Sequence, residues 1–335
     1  DYQCLHDVES QIAPEYLKEF IEVPEFQRLK DVGMSCGLEY TSFPFFRNLF
    51  RYTRYDHSIG VALLLSRFTE DKRILIAGLY HDIATPCFAH VIDFMNQDYE
   101  KQESTEEKTA TIIHDSSIQA LLSRYGLKED EISDYHLYPL ADNDTPRLSA
   151  DRLEYHLGNA FQYHSLTLKQ ISSILEDLTI GYPEGEVPEI CFRSREKAVL
   201  FTRASIRNGL VYSSEDDRYA MESLALLLKD FLKKGILSEE DLYTEEKVVL
   251  EKIESDSYSR KRFENFRKLS KVKSSTQPKE GYRQIQAKRR YVNPYVLKEG
   301  RILDLDSRLK EKADRIRNQD FREYLCGNDR EEYER

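Results

Sequence analysis

Tryptophan is absent from this chain of 335 residues, and cysteine is sparse, with five residues spread over its length. Cys4, Cys36, Cys87, Cys191 and Cys326 are odd in number, far apart and form no CxxC pair. That pattern reads as reduced thiols of a cytosolic protein rather than a disulfide framework. No apolar run approaches the roughly 18 residues that cross a bilayer, and no signal-peptide pattern is present, so the expectation is a soluble, cytoplasmic protein without a membrane partner. Internal repeats and low-complexity tracts are also missing. A net charge of −11 removes any general attraction to nucleic acid, which is not an expected partner. Histidine is the most telling shortage: all eight lie at or before His164, and the last 171 residues have none.

What is present is mostly helical pattern. Apolar residues recur at helical spacing in Ser58–Phe68, Arg73–Tyr80, Arg152–Phe161, Leu166–Leu178, Ala220–Lys234 and Glu245–Ser255. Strand candidates are few: Thr179–Tyr182, Glu189–Phe192 and Arg289–Val296. Turn residues mark loops at 142–146, 182–188 and 274–281. The tail from Leu309 is densely charged and reads as a solvated helix or a partly disordered segment. Arg260 to Arg290 holds twelve Lys/Arg against two Glu, a net +10 within an acidic chain. The expected fold is mostly α, a helical bundle over residues 1–180, with a smaller C-terminal α+β subdomain over 181–335 that completes the pocket and an oligomer interface.

Within the N-terminal half, His57 (RYDHSIGV), the adjacent His81-Asp82 (LYHDI) and Asp151 (SADRLEY) are residue types that hold a catalytic divalent metal while leaving positions for water and substrate. Adjacent residues at a helix end project about 100° apart, close enough for both to face one ion. The set accepts Mn, Fe, Ni, Co, Mg or Zn, and the sequence does not choose among them. His114 is a candidate ligand for a second metal; His136, His156 and His164 carry no spacing argument.

RYDHSIGV, LYHDIATPCFAH and SADRLEY together resemble the H…HD…D signature of the HD-domain metal-dependent phosphohydrolases. The deoxynucleoside triphosphate triphosphohydrolase branch, of SAM-and-HD-domain and bacterial dGTPase-like enzymes, is the most similar, over roughly residues 20 to 300. The resemblance implies that His57, His81, Asp82 and Asp151 are metal ligands. It implies that Arg54 holds substrate phosphate, where a planar guanidinium suits the oxygen geometry. It makes His90 a catalytic histidine and Asp93, three residues on and on the same helical face, the carboxylate that orients and charges it. Arg203, Tyr155 and Tyr212 resemble substrate contacts, and Glu106 a retained member of a His-Glu pair whose histidine is here Thr105. The chain departs from the family at Thr85, where a histidine stands in the HDxGHGPFSH loop, and at Asn159, where an aspartate is typical.

On that resemblance the chain is expected to be a metal-dependent phosphohydrolase of a nucleotide, first a dNTP triphosphohydrolase releasing tripolyphosphate. A nucleotide phosphomonoesterase or phosphodiesterase, or a catalytically weak nucleotide-binding sensor, remain the alternatives. It also implies a homo-oligomer, dimer or tetramer, with the basic C-terminal stretch available to a nucleotide effector.

Overall fold

The computed structural model describes residues 2–9, 14–100 and 108–329. Its principal helices are α1 (Gln3–Glu9), α2 (Arg54–Ser66), α3 (Lys72–Tyr80), α4 (Val91–Met95), α5 (Ala150–Gln162), α6 (Leu168–Asp177), α7 (Arg195–Tyr212), α8 (Glu215–Lys233), α9 (Glu246–Ser255), α10 (Ser257–Arg267) and α11 (Ser307–Arg317). Most start where a short polar side chain satisfies free backbone N–H groups. At α2, Thr53 Oγ1 accepts from the Asp56 N–H (3.2 Å) and the Asp56 carboxylate accepts from the Thr53 N–H (3.0 Å), a closed capping box. Asp71, Ser149, Thr167, Ser194 and Ser214 cap α3, α5, α6, α7 and α8.

The strands are short. β1 (Leu178–Gly181) and β2 (Glu189–Phe192) form an antiparallel hairpin, with Leu178 opposite Phe192. β3 (Val272–Ser275) and β4 (Arg283–Gln284) flank the later β7 (Tyr324–Gly327) in a second sheet. β5 (Tyr295–Val296) lies parallel to β2 and antiparallel to β6 (Gly300–Arg301). The β2–β5 pairing brings the segment just before β5 back across α7. Gly209 of α7 permits that approach, since a Cβ there would lie 2.7 Å from the Arg290 carbonyl oxygen.

Two hydrophobic clusters fill the interior. The first packs α1, α2, α3, α5, α6 and α7 around residues such as Phe20, Leu64, Leu79, Leu153, Ile174 and Phe201. The second joins Phe43, Phe88 and Phe94 to Leu224, Phe231, Phe263 and Leu325. Both take residues from each side of residue 180, so the packing units cut across the division expected from sequence.

Two of the longer helices, α7 and α10, exceed the sequence reading. In α7 the buried face includes Thr202, Ser205, Asn208 and Gly209, which mask an apolar stripe; in α10 only Phe263 and Phe266 stand out among charges. The expected strand over 289–296 shrinks to two residues. Pro294 has no N–H for a ladder, and the Asn293 N–H donates to the Pro146 carbonyl instead. The charged tail is ordered as α11 and β7, buried at Leu309, Ala313, Ile316 and Leu325. Among the described residues no helix is long and apolar enough to cross a membrane.

Thr53→Ala removes one half of the α2 box. It should lower stability by about 1 kcal/mol, read as a drop in the urea midpoint at constant slope. An unchanged midpoint would remove the box from the account of how α2 is held.

Candidate metal centre and its cavity

Three helices converge on one point. α2 brings Arg54 and His57, the C-terminal end of α3 brings His81 and Asp82, and the first turn of α5 brings Asp151. His57 is 1% exposed. Its Nδ1 donates to the Glu154 carboxylate, and His81 Nδ1 donates to the Gly78 carbonyl at 2.7 Å. With both Nδ1 atoms committed, the two Nε2 lone pairs face each other at 3.1 Å. A pair at that separation is satisfied by one proton, carried on His57, or by one cation that replaces it. Asp151 Oδ1 lies 3.1 Å from His57 Nε2 and 3.7 Å from His81 Nε2; Asp82 Oδ2 lies 3.7 and 3.5 Å from the same atoms. Donors about 2.1 Å from one ion stand roughly 3.0–3.4 Å apart, so the set fits a divalent metal. His57, His81 and Asp151 form the compact part of it.

The electrostatics favour positive charge here. Burial opposes protonation of His57, but Glu154 and Asp151 outweigh it and push the imidazole up to about 10. Burial likewise opposes ionisation of Asp82 and Asp151. Arg54 beside the first, and His57 and His81 beside both, hold these carboxyls well below the usual range. Asp82 is positioned from two sides: Arg54 Nη1 donates to Oδ2 at 2.7 Å, and Thr85 Oγ1 donates to Oδ1 at 2.8 Å. Thr85, the departure from the family loop, thus steadies the Asp82 carboxylate. Arg28 donates to the Ile83 and Thr85 carbonyls (2.9 and 2.7 Å) and pins the same turn.

Glu154 was not among the residues singled out from sequence. It is fully buried and accepts from the Tyr2 hydroxyl, the Tyr52 hydroxyl (2.6 Å) and His57 Nδ1. Carboxylate–histidine pairs of this kind set the tautomer and raise ligand basicity. Its signal lies inside SADRLEY, three residues after Asp151 and on the same face of α5. Two glycines make room: a Cβ at Gly60 would lie 2.7 Å from Glu154, and one at Gly158 would lie 2.6 Å from both tyrosine hydroxyls.

Above the centre opens a cavity of about 800 Å³ that also contains His90, Tyr155, Tyr212, Asp217 and Arg290. His90 Nδ1 meets the buried Asp93 carboxylate at 2.9 Å. Arg290 Nη2, which can only donate, reaches His90 Nε2 at 3.2 Å, placing the ring proton on Nδ1. Asp93 therefore orients His90 but does not charge it. Burial dominates, Arg290 and Arg54 add to it against the pull of the Asp93 hydrogen bond, and the imidazole is pushed down to about 4. Arg290 also stands over the Tyr155 ring, 5.8 Å from its centroid. Asn159 Nδ2 donates to the Tyr212 hydroxyl at 2.8 Å.

Arg203 is not in this cavity. It projects from the exposed face of α7, where it lines a second hollow with Lys169, Arg195 and Lys197. Eighteen-residue α7 presents its Thr202 and Ser205 side inward, which turns Arg203 out. Within this cavity Arg290, from the basic stretch, supplies a cation, and Lys288 and Arg289 line it too. His114 is exposed on the surface and paired with Glu129 at 3.0 Å, away from the centre. Glu106 and Thr105 lie outside the described residues.

This centre, set among helices, defines a class: the chain belongs to the HD-domain metal-dependent phosphohydrolases and is a hydrolase. The HD-domain family model matches residues 54–134, from Arg54 onward. The chain is 30% identical over 242 residues to the uncharacterized protein YdhJ of Bacillus subtilis, covering 70% of this chain and 69% of that protein. It is 26% identical over 173 residues to the metal-dependent phosphohydrolase cns2 of Cordyceps militaris, 51% of this chain and 48% of that one. It is 23% identical over 243 residues to the deoxynucleoside triphosphate triphosphohydrolase SAMHD1 homolog of Dictyostelium discoideum, 60% and 43% respectively. The chain thus spans under half the length of the last two.

Glu154→Gln keeps the shape but weakens the hold on His57. Mn²⁺ affinity should fall about 10- to 100-fold by isothermal titration calorimetry, with the helical circular dichroism retained. Equal affinity in the two proteins would show that Glu154 serves packing alone.

Proposed function

We propose that this protein hydrolyses a phosphate anhydride or ester of a nucleotide, with a deoxynucleoside triphosphate as the first substrate and deoxynucleoside plus tripolyphosphate as products. The observation that carries the reading is the convergence of His57, His81, Asp82 and Asp151 beneath a cavity that Arg54, Arg290 and His90 also line. That cavity has the size of a small-molecule site. The naming of one relative as a deoxynucleoside triphosphate triphosphohydrolase supports the choice of substrate.

His57, His81, Asp82 and Asp151 would hold the divalent metal, which supplies Lewis acidity toward a phosphoryl oxygen and its nucleophilic water. The chain's own residues do the rest. Arg54 and Arg290 both line the cavity and would meet the phosphate chain there, each a planar donor to paired oxygens. In the free pocket Arg290 leans on His90. An arriving phosphate takes over that guanidinium and adds negative charge beside the ring, so the proton affinity of His90 rises. Asp93 keeps Nδ1 engaged, and Nε2 then carries a proton to the departing oxygen. Tyr155, beside Arg290, shapes the wall against which the nucleotide rests.

A nucleotide panel with Mn²⁺ tests this directly. Wild-type protein should release tripolyphosphate, resolved by ion chromatography, and His81→Ala/Asp82→Ala should lose at least about a thousandfold in kcat/KM. Orthophosphate alone would instead select a phosphomonoesterase. Metal binding without turnover of any nucleotide would select a sensor. Activity that survives the double substitution would remove the metal centre from the mechanism.

Arg290→Ala should raise KM by roughly 10- to 100-fold, as expected for a lost charge-assisted phosphate contact of about 1.5–3 kcal/mol. It should also bring the His90 titration, followed by NMR, closer to that of a free histidine. A normal KM would confine Arg290 to a structural part.

A further inference from the structure

Arg290 lines the cavity, where it reaches His90 and acts on the carboxyl of Asp217. Asp217 lines the same cavity, as do Cys36, Tyr163, Tyr212, Asn159 and Met221. None of the four metal-centre side chains is among the groups that perturb Asp217. A substrate with its phosphates between Arg54 and Arg290 would therefore extend its organic part toward Asp217.

The local structure leaves this carboxyl available. Ser214 and Asp217 have capping-box spacing, and the Asp217 N–H does donate to Ser214 Oγ at 3.2 Å. The return bond that Asp56 makes to Thr53 at α2 is not made here. Asp217 lines the cavity instead. It is not simply the counter-ion of Arg290 either, because an ion-pair partner would be held ionised. Burial in the wall dominates, against the pull of Arg290 and Arg218 and with the push of Asp216, and moves the carboxyl up to about 8. Tyr163 and Cys36 line the same cavity, and Asp217 raises the proton affinity of both.

We propose that Asp217 is a specificity-determining residue that reads the edge of a nucleobase, pairing its carboxyl with an adjacent N–H donor and acceptor of the base. This rests on the nucleotide reading above and deepens it. A neutral carboxyl has one donor and one acceptor side by side. That pair complements the amide or amidine edges of guanine, adenine, cytosine and thymine. An ionised carboxyl only accepts, and matches an edge with two neighbouring N–H groups; among the common bases guanine alone offers it, through N1 and its exocyclic amine. The direction follows from the sign of the shift. The neutral form prevails below about 8 and is lost above it. The site should therefore accept all four bases in mildly acid solution and favour guanine as the pH rises.

The experiment measures KM for dATP and dGTP with Mn²⁺-loaded protein at about pH 6.5 and about pH 8.7. With the competent form reduced by ionisation, the dATP/dGTP ratio of KM should rise about sixfold across that interval in wild type. In Asp217→Asn, whose amide keeps one donor and one acceptor at any pH, the ratio should stay level. In Asp217→Leu the two bases should be treated alike at both pH values. A flat ratio in wild type, or a rise that persists in Asp217→Asn, overturns the role of Asp217 while leaving phosphohydrolysis intact. Equal binding of inorganic tripolyphosphate and dATP at pH 6.5 overturns it as well. If turnover is absent, the same ratios are read from equilibrium dialysis, and failure to bind either nucleotide removes both this role and the nucleotide reading.

Discussion

The buried contact between Glu154 and His57 is the constraint around which the remainder is arranged. A carboxylate with no access to water is tolerable only if its oxygens are occupied. Here two tyrosine hydroxyls and one imidazole occupy them. Satisfying Glu154 draws α1 through Tyr2, the strand-like approach to α2 through Tyr52, and α2 itself through His57 onto one face of α5. The two rings of Tyr2 and Tyr52 stack at 4.3 Å, nearly parallel, so the hydroxyls arrive together. The outcome at the other nitrogen of His57 is functional. Its Nε2 has one direction to face, and His81 and Asp151 meet it there.

From that anchor the cavity is assembled by two independent cores. The metal side rests on helices packed in the first hydrophobic cluster. Cys36, Phe94 and Met221, on the organic side, belong to the second cluster. Arg290 comes from neither. It is carried in on an irregular segment anchored by Arg289 to the Gln319 carbonyl, by Asn293 to the Pro146 carbonyl, and by the pairing of Val296 with Phe192. One charge repeatedly decides the chemistry of its neighbours: Arg290 lowers the proton affinity of His90, and acts on Asp217 and Tyr155.

Much of the metal side was legible in the chain. His57, His81, Asp82 and Asp151 sit in strong helical contexts, and an adjacent His-Asp pair needs no tertiary information to share a face. His90 and Asp93 were legible as a pair because i, i+3 spacing is local. The protonation of His90 was not, since it depends on Arg290, two hundred residues away. Arg203 misled because a Thr-Arg dipeptide in an apolar run does not say which face of a helix turns inward; the small side chains of α7 decided that. Glu154 and Asp217 escaped notice for a shared reason. A carboxyl near a helix start looks like a capping or surface residue until burial around it is known. The strand read over 289–296 failed where the segment's hydrogen-bonding groups serve tertiary partners instead of a ladder.

Gly209 points to a matter of timing. By leaving the Arg290 carbonyl room against α7, it makes the cavity wall a late addition contributed by residues far along the chain. During synthesis all four metal-centre residues, from His57 to Asp151, emerge well before Arg290 does. A growing chain therefore has the candidate metal ligands long before it has Arg290, the cation that completes the cavity wall. The cavity is therefore closed only when the C-terminal third has folded back against α7.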